Sequence, residues 1–114
     1  MPKSHVATRP TSFASIRDRI DEETWRIMVA RYVWWESPTE AARYPERVIA
    51  RVMRMGDFED METIARQVGD DTLRDVIMHA EAGWFDEPSW YYWHYRLNLS
   101  EIGEVPPLPK RMIP

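Results

Sequence analysis

The sequence lacks cysteine entirely and contains no long apolar run. Without cysteine there is no disulfide bridge, no thiolate nucleophile and no cysteine-ligated zinc, and this composition fits a reducing compartment. A membrane-spanning helix needs ~20 predominantly apolar residues in a row, and no stretch approaches that length. The first ten residues also lack the apolar segment of a secretory signal. We therefore expect a cytoplasmic protein that does not cross a membrane.

A basic excess is also lacking. Lysine and arginine together number 15, aspartate and glutamate 19, and the net charge is −4. A protein dedicated to phosphate backbones usually carries a clear positive excess, so the composition argues against nucleic acid as the partner. The length of 114 residues suits one domain. We expect no cofactor.

What the sequence does contain is a regular series of helix signals. Aspartate, serine or proline precedes segments whose apolar residues recur with the period of an amphipathic helix. The predicted helices begin at Asp21 or Glu22, Ser37–Pro38, Pro45, Asp57, Asp70 or Asp71, and Asp86–Pro88. Three of them end at glycine, the usual residue after a helix: Gly56, Gly69 and Gly83.

No segment shows the alternation of a β-strand. We predict an all-α fold, a compact bundle of about five short helices, in which residues 13–99 form the helical domain. Residues 1–12 are rich in proline, serine and threonine and are expected to be a flexible arm. Residues 100–114 include Pro106-Pro107-Leu108-Pro109 and are expected to be an extended, proline-rich tail.

Aromatic residues are frequent, with six tryptophans, five tyrosines and three phenylalanines. Three tryptophans fall on apolar stripes and are predicted to lie in the core: Trp25, Trp90 and Trp93. Tyr91, Tyr92 and Tyr95 point away from the apolar stripe of the last helix, and tyrosine is a frequent anchor in protein interfaces. We predict that these tyrosines bind a protein partner, with a homodimer contact as the alternative.

Four arginines recur along the third predicted helix: Arg43, Arg47, Arg51 and Arg54. On a helix they share one face, opposite the apolar stripe. Such a row is either a solvated face or a docking strip for an acidic partner or a nucleic acid. We take Arg47, Arg51 and Arg54 as candidate partner-binding residues.

The segment Arg74–His79 resembles the Arg-x4-His motif of HEPN ribonucleases. That resemblance implies metal-independent RNA cleavage, in which His79 would move a proton at a ribose 2′-hydroxyl while Arg74 held the scissile phosphate. The helix around it is short, whereas HEPN motifs lie in a long helix. A chance spacing is therefore the competing interpretation.

Two further patterns occur on the same segment. Asp71, Asp75 and His79 share one helix face, but a single helix presents them too linearly for a closed metal site, so none is expected. Residues 64–69 and the following helix have the spacing of a helix-turn-helix, which makes a DNA-binding regulator a further alternative. The second of those helices is acidic, and Asp75 falls where the motif needs an apolar residue.

The chain also resembles a family of short, helical bacterial proteins, over residues 34–99. The similarity lies in Tyr44–Met53, Gly56, Asp60, Gly69, Leu73–Ile77 and Trp93, with Trp34-Trp35 upstream. Members are often encoded beside AbiEii-type nucleotidyltransferase toxins, so the resemblance implies an antitoxin that neutralises a cognate toxin by direct contact. It transfers no functional residue, because the family offers no established site.

Overall fold

The chain forms one 3-10 helix and five α-helices over residues 9–110, the part that the computed structural model describes. The elements are a 3-10 helix (Thr11–Arg19), α1 (Glu22–Tyr32), α2 (Pro38–Ala41), α3 (Pro45–Met55), α4 (Phe58–Met78) and α5 (Glu87–Arg96). No β-strand occurs within this range. The predicted all-α fold of short helices is confirmed.

Side-chain caps fix the helix starts where the sequence predicts them. Asp21 accepts a hydrogen bond from the backbone N–H of Thr24 at 2.7 Å, and Asp57 accepts one from Asp60 at 2.8 Å. Asp86 does the same for α5. Each carboxylate satisfies a backbone donor that has no partner within its own helix.

Gly69 divides α4 into two helical halves, residues 58–68 and 70–78. Its backbone has φ 85° and ψ 157°, which no helical residue adopts. Glycine takes a positive φ without steric cost, so the chain can change direction here and resume the helix at once. The predicted helix end at Gly69 is confirmed.

The end of α5 is closed by a left-handed residue, Asn98, with φ 58°. The N–H of Leu99 donates to the carbonyl of His94 at 2.8 Å, and the N–H of Asn98 donates to the carbonyl of Tyr95 at 3.2 Å. This pair of bonds is a Schellman motif, which satisfies the last carbonyls of the helix.

Helix α3 lies at the centre of the fold and contacts α1, α4, α5 and the 3-10 helix. Its apolar stripe is almost completely buried: Val48, Ile49, Val52 and Met53. The three tryptophans that the sequence assigns to the core, Trp25, Trp90 and Trp93, are buried as predicted.

Trp93 joins α5 to α3 by a buried hydrogen bond. Its indole Nε1 donates to the backbone carbonyl of Met53 at 2.8 Å. Met53 lies in the last turn of α3, where carbonyl groups have no intrahelical partner. Trp93 therefore fills core volume and also satisfies an end group of the central helix.

A buried carboxylate, Asp60, joins the start of α4 to the end of α1. It accepts two hydrogen bonds from Arg31 Nη1, each 2.8 Å long, and one from the Tyr32 hydroxyl at 2.5 Å. Burial raises the pKa of Asp60, but the bonds from Tyr32 and Arg31 outweigh that effect and hold the pKa below its usual value. Burial raises the pKa of Tyr32 to about 12.

The two predicted terminal segments lie against the fold where the structure describes them. Of the predicted arm 1–12, residues 1–8 lie outside the described range. Arg9 forms an ion pair with the buried carboxylate of Glu46, with Nε and Oε2 2.6 Å apart, and the 3-10 helix begins at Thr11. The packed fold thus begins before the predicted boundary at residue 13, because a buried charge in α3 requires the guanidinium of Arg9.

In the proline-rich tail, residues 104–110 have no regular secondary structure, and residues 111–114 lie outside the described range. Trp90 Nε1 donates to the carbonyl of Pro106 at 2.8 Å. Val105 and Leu108 are half-buried against the core. The tail therefore covers one side of α5.

We predict that Trp93→Phe lowers the free energy of unfolding by about 1–3 kcal/mol, because the Met53 carbonyl loses its donor in a buried site. Urea denaturation measures this. Trp34→Phe removes an indole from an exposed position and serves as the control, with no change expected. Equal stability of the Trp93→Phe variant and the wild type would show that the Met53 carbonyl needs no donor.

We predict that the Asp60 network stabilises the protein above about pH 4 and that this contribution disappears on acidification. The pKa of Asp60 is lowered in the folded state, so its contribution is complete above the unfolded-state pKa and is lost as the pH falls through the folded-state pKa. Asp60→Asn should unfold more easily than the wild type at pH 7, and the difference should shrink towards pH 2. Thermal unfolding across this range tests it; a difference independent of pH would contradict it.

Candidate functional site

A groove of about 220 Å³ opens between the end of α1, the first half of α3 and the loop before α5. Its buried, apolar floor consists of Val33, Ala41, Val48 and Ala50. More exposed residues form its rim: Trp35, Glu36, Tyr44, Arg47, Arg51, Gly83 and Trp84. We call this feature the groove.

Two tryptophans lie in the turn that follows α1, and one of them, Trp35, lines the groove. This turn is closed by a hydrogen bond from the N–H of Glu36 to the carbonyl of Val33, 3.0 Å long. Trp34 is 73% exposed and Trp35 is 51% exposed. Their rings pack edge to face with centroids 5.4 Å apart. The apolar surface of the groove therefore continues into Trp35 and, through its contact with that ring, to Trp34.

Arg43 and Arg47 lie beside the ring of Tyr44, with guanidinium carbons 5.9 Å and 4.4 Å from its centroid. Such cation–π contacts orient a guanidinium and leave its N–H groups available. Within residues 9–110, neither guanidinium has a hydrogen-bond or ion-pair partner. Both therefore retain donors for a ligand.

Arg51 and Arg54 have partners within the chain. Arg51 Nε donates to the carbonyl of Tyr32 at 2.6 Å, and its guanidinium lies 4.8 Å from the centroid of Trp35. Burial, followed by the positive charge of Arg54, lowers the pKa of Arg51. Arg54 Nε lies 3.8 Å from Asp86. Of the arginine row, Arg51 and Arg54 connect α3 to its neighbours, whereas Arg43 and Arg47 make no such connection among residues 9–110.

The four predicted arginines do not all lie on one helix. Arg43 lies in the turn between α2 and α3, because α3 begins only at Pro45. It reaches the same side of the molecule as Arg47 because both contact Tyr44. The aromatic ring, and not a continuous helix, brings these two arginines together.

The three predicted tyrosines are exposed, and their aromatic and hydrogen-bond contacts are with residues of α5 itself. Tyr91 and Tyr95 pack edge to face with centroids 6.2 Å apart, and the Tyr92 hydroxyl accepts a hydrogen bond from Arg96 at 3.1 Å. No hydrogen bond, ion pair or cation–π contact in the described range joins them to the predicted arginines Arg47, Arg51 and Arg54.

The structure does not bring Arg74 and His79 together. Arg74 Nε donates to the carbonyl of Leu97 at 3.1 Å, while the His79 ring packs edge to face on Phe13, 5.8 Å away. Residues five apart on a helix point about 140° away from each other. The ribonuclease hypothesis stays a prediction.

The structure also shows where the metal-site pattern and the helix-turn-helix pattern of α4 lie. Across the residues that the structure describes, no three His, Asp or Glu side chains are placed to hold a metal ion, and this includes Asp71, Asp75 and His79. The two halves of α4 meet at Gly69, as a helix-turn-helix would require, but the exposed residues of the second half include Asp70, Asp71 and Asp75. A helix with this charge is repelled by phosphates.

Sequence reasoning missed the groove and the role of Tyr44. The groove forms only when the turn after α1 and the loop before α5 converge on α3, and no local pattern reports that convergence. The sequence does place Tyr44 directly between Arg43 and the proline that starts α3, with Arg47 one turn later. Phe85 is buried, although its place outside the helices suggests partial exposure.

None of the helices described is long and apolar enough to cross a membrane. Comparison of the chain with protein-family models, curated proteins and solved structures finds no match.

Proposed function

We propose that this chain is a protein-binding module that receives an acidic segment of a partner protein in the groove. The observation that supports this most is that the guanidinium groups of Arg43 and Arg47, which have no hydrogen-bond or ion-pair partner in the described part of the chain, share a surface with the exposed Trp35. Tryptophan, tyrosine and arginine are the residues that dominate binding energy in protein interfaces. A carboxylate would pair with the guanidinium groups, while an apolar side chain would enter the floor of the groove.

A protein partner fits this surface better than a metabolite or a nucleic acid. The groove volume of about 220 Å³ falls below the ~300–1,000 Å³ of most small-molecule sites. Glu36 and Glu40 lie beside the same arginines, and they would repel a continuous phosphate backbone. A peptide segment can place one or two carboxylates between them.

The partner that the family resemblance implies is a cognate toxin, which this chain would neutralise by direct contact, as an antitoxin does. The groove offers a way to neutralise a toxin, because a toxin segment bound there is held in one conformation and cannot take part in the toxin's own activity. Under this proposal the arginines provide charge complementarity and on-rate, and the tryptophans provide buried apolar area.

We predict that Arg47→Glu weakens partner binding at least about tenfold, because the new carboxylate repels an acidic segment. The tagged chain is used to capture proteins from its host, with attention to the product of the adjacent gene, and the affinity for the captured protein is then measured by calorimetry. Trp35→Ala should have an effect of similar size.

Arg66→Glu is the matched control, since it makes the same charge change on the exposed side of α4 and should leave binding intact. A captured protein that binds wild type, Arg47→Glu and Arg66→Glu equally would contradict the proposal. If the captured protein arrests growth when expressed alone, the wild-type chain should relieve the arrest and Arg47→Glu should not. If the wild-type chain and Arg47→Glu both relieved the arrest, the chain would act as an antitoxin without using the groove.

A further inference from the structure

The most exposed large apolar side chain of the described residues lies between two acidic residues. Ile102 is 89% exposed and sits in a turn, Glu101–Glu104, whose N–H of Glu104 donates to the carbonyl of Glu101 at 2.9 Å. Gly103, with φ 85°, allows the turn to close tightly. The turn thus presents an apolar side chain flanked by two carboxylates.

The apolar and acidic side chains of this turn complement the apolar and basic side chains of the groove. The groove has an apolar floor and the guanidinium group of Arg47 on its rim, and Arg43 lies on the adjoining surface beside Tyr44. The turn has an apolar tip and two exposed carboxylates, Glu101 and Glu104. An interface gains specificity when opposite charges face each other around an apolar centre. The apolar tip of the turn matches the floor of the groove, and its carboxylates are opposite in charge to Arg43 and Arg47, which lie next to Glu36 and Glu40.

The groove borders the loop before α5, and the turn comes after the end of α5 along the chain. Gly83 and Trp84, on the rim of the groove, precede α5, and the turn follows its last residue, Arg96. A helix of 10 residues is about 15 Å long. Between the two ends, α5 exposes Tyr91 and Tyr95, which are 44% and 38% accessible.

We propose that two copies of this chain form a two-fold dimer in which their α5 helices run antiparallel. Tyr91 and Tyr95 of the two copies pack together at the centre. The turn of each copy enters the groove of the other, with Ile102 on the apolar floor and the carboxylates beside Arg43 and Arg47. A two-fold axis makes every such contact twice, so the assembly closes on itself and leaves neither groove empty.

The proposed dimer forms in the absence of the partner and does not depend on the proposed partner binding. It does share the groove with that partner, so a partner segment must displace the turn. Ile102→Asp removes the apolar tip without touching the groove. The variant should therefore still bind the partner of the previous section even though it no longer dimerises.

Sedimentation velocity over a range of concentrations tests the dimer. The wild type should sediment as a dimer and dissociate on dilution, whereas Ile102→Asp should be a monomer throughout. Met78→Asp also places a charge on an exposed apolar position, at the end of α4, and should remain dimeric. A wild type that is monomeric up to about 1 mM, where only contacts weaker than about 4 kcal/mol go undetected, would overturn the inference.

A charge-reversal pair tests the contact itself. One chain carries Arg43→Glu and Arg47→Glu, and a second carries Glu101→Arg and Glu104→Arg. Each variant alone faces like charges at both contacts and should be monomeric, with circular dichroism confirming an unchanged helical content. An equimolar mixture restores opposite charges at both contacts and should form a heterodimer. A mixture that stays monomeric, or single variants that dimerise as the wild type does, would overturn the proposed pairing.

Discussion

Helix α3 is buried by neighbours on several sides, and the rest of the fold is arranged around that burial. Its apolar stripe gives α1, α4, α5 and the 3-10 helix a common surface to cover, and burial of such side chains is the main favourable term in folding. Polar connections then fix each neighbour in place. Trp93 binds the last turn of α3, Arg9 binds Glu46 near its start, and Arg51 donates to the end of α1. A short chain without disulfides thus obtains a defined arrangement from one central helix.

The same helix also determines where the groove lies. Helix α3 packs against α1, α4, α5 and the 3-10 helix. Among residues 9–110, its side chains that are left over border the groove together with the turn after α1. The apolar floor of that space continues the core, while Arg47 and Tyr44 face solvent at its rim. Two aromatic residues, Trp34 and Trp35, remain exposed beside it although burying them would favour folding. Their exposure is explained if another polypeptide covers them.

The local features of the fold could be predicted from the sequence, whereas the groove could not. Asp21, Asp57 and Asp86 act on the N–H groups of their own helices, and Gly69 and Asn98 act through their own backbone conformations, so each signal is complete within a few residues. The role of Arg51 depends on a carbonyl 19 positions away, and the pairing of Arg9 with Glu46 spans 37 positions. The 3-10 helix was missed because its buried residues, Phe13 and Ile16, form too short an apolar pattern. The helical period predicts that the α5 tyrosines are exposed, but it does not predict which surface they contact.

The central claim, that the groove is an interface, is tested most directly by the indole N–H resonances in a two-dimensional NMR titration. The indoles of Trp25 and Trp93 are hydrogen-bonded inside the fold, to Pro38 and Met53, and serve as internal references. Raising the protein concentration, or adding the captured partner to the Ile102→Asp variant, should shift the resonances of Trp34 and Trp35 and leave the two references unchanged. Equal shifts at all four tryptophans, or none at the two beside the groove, would contradict the account.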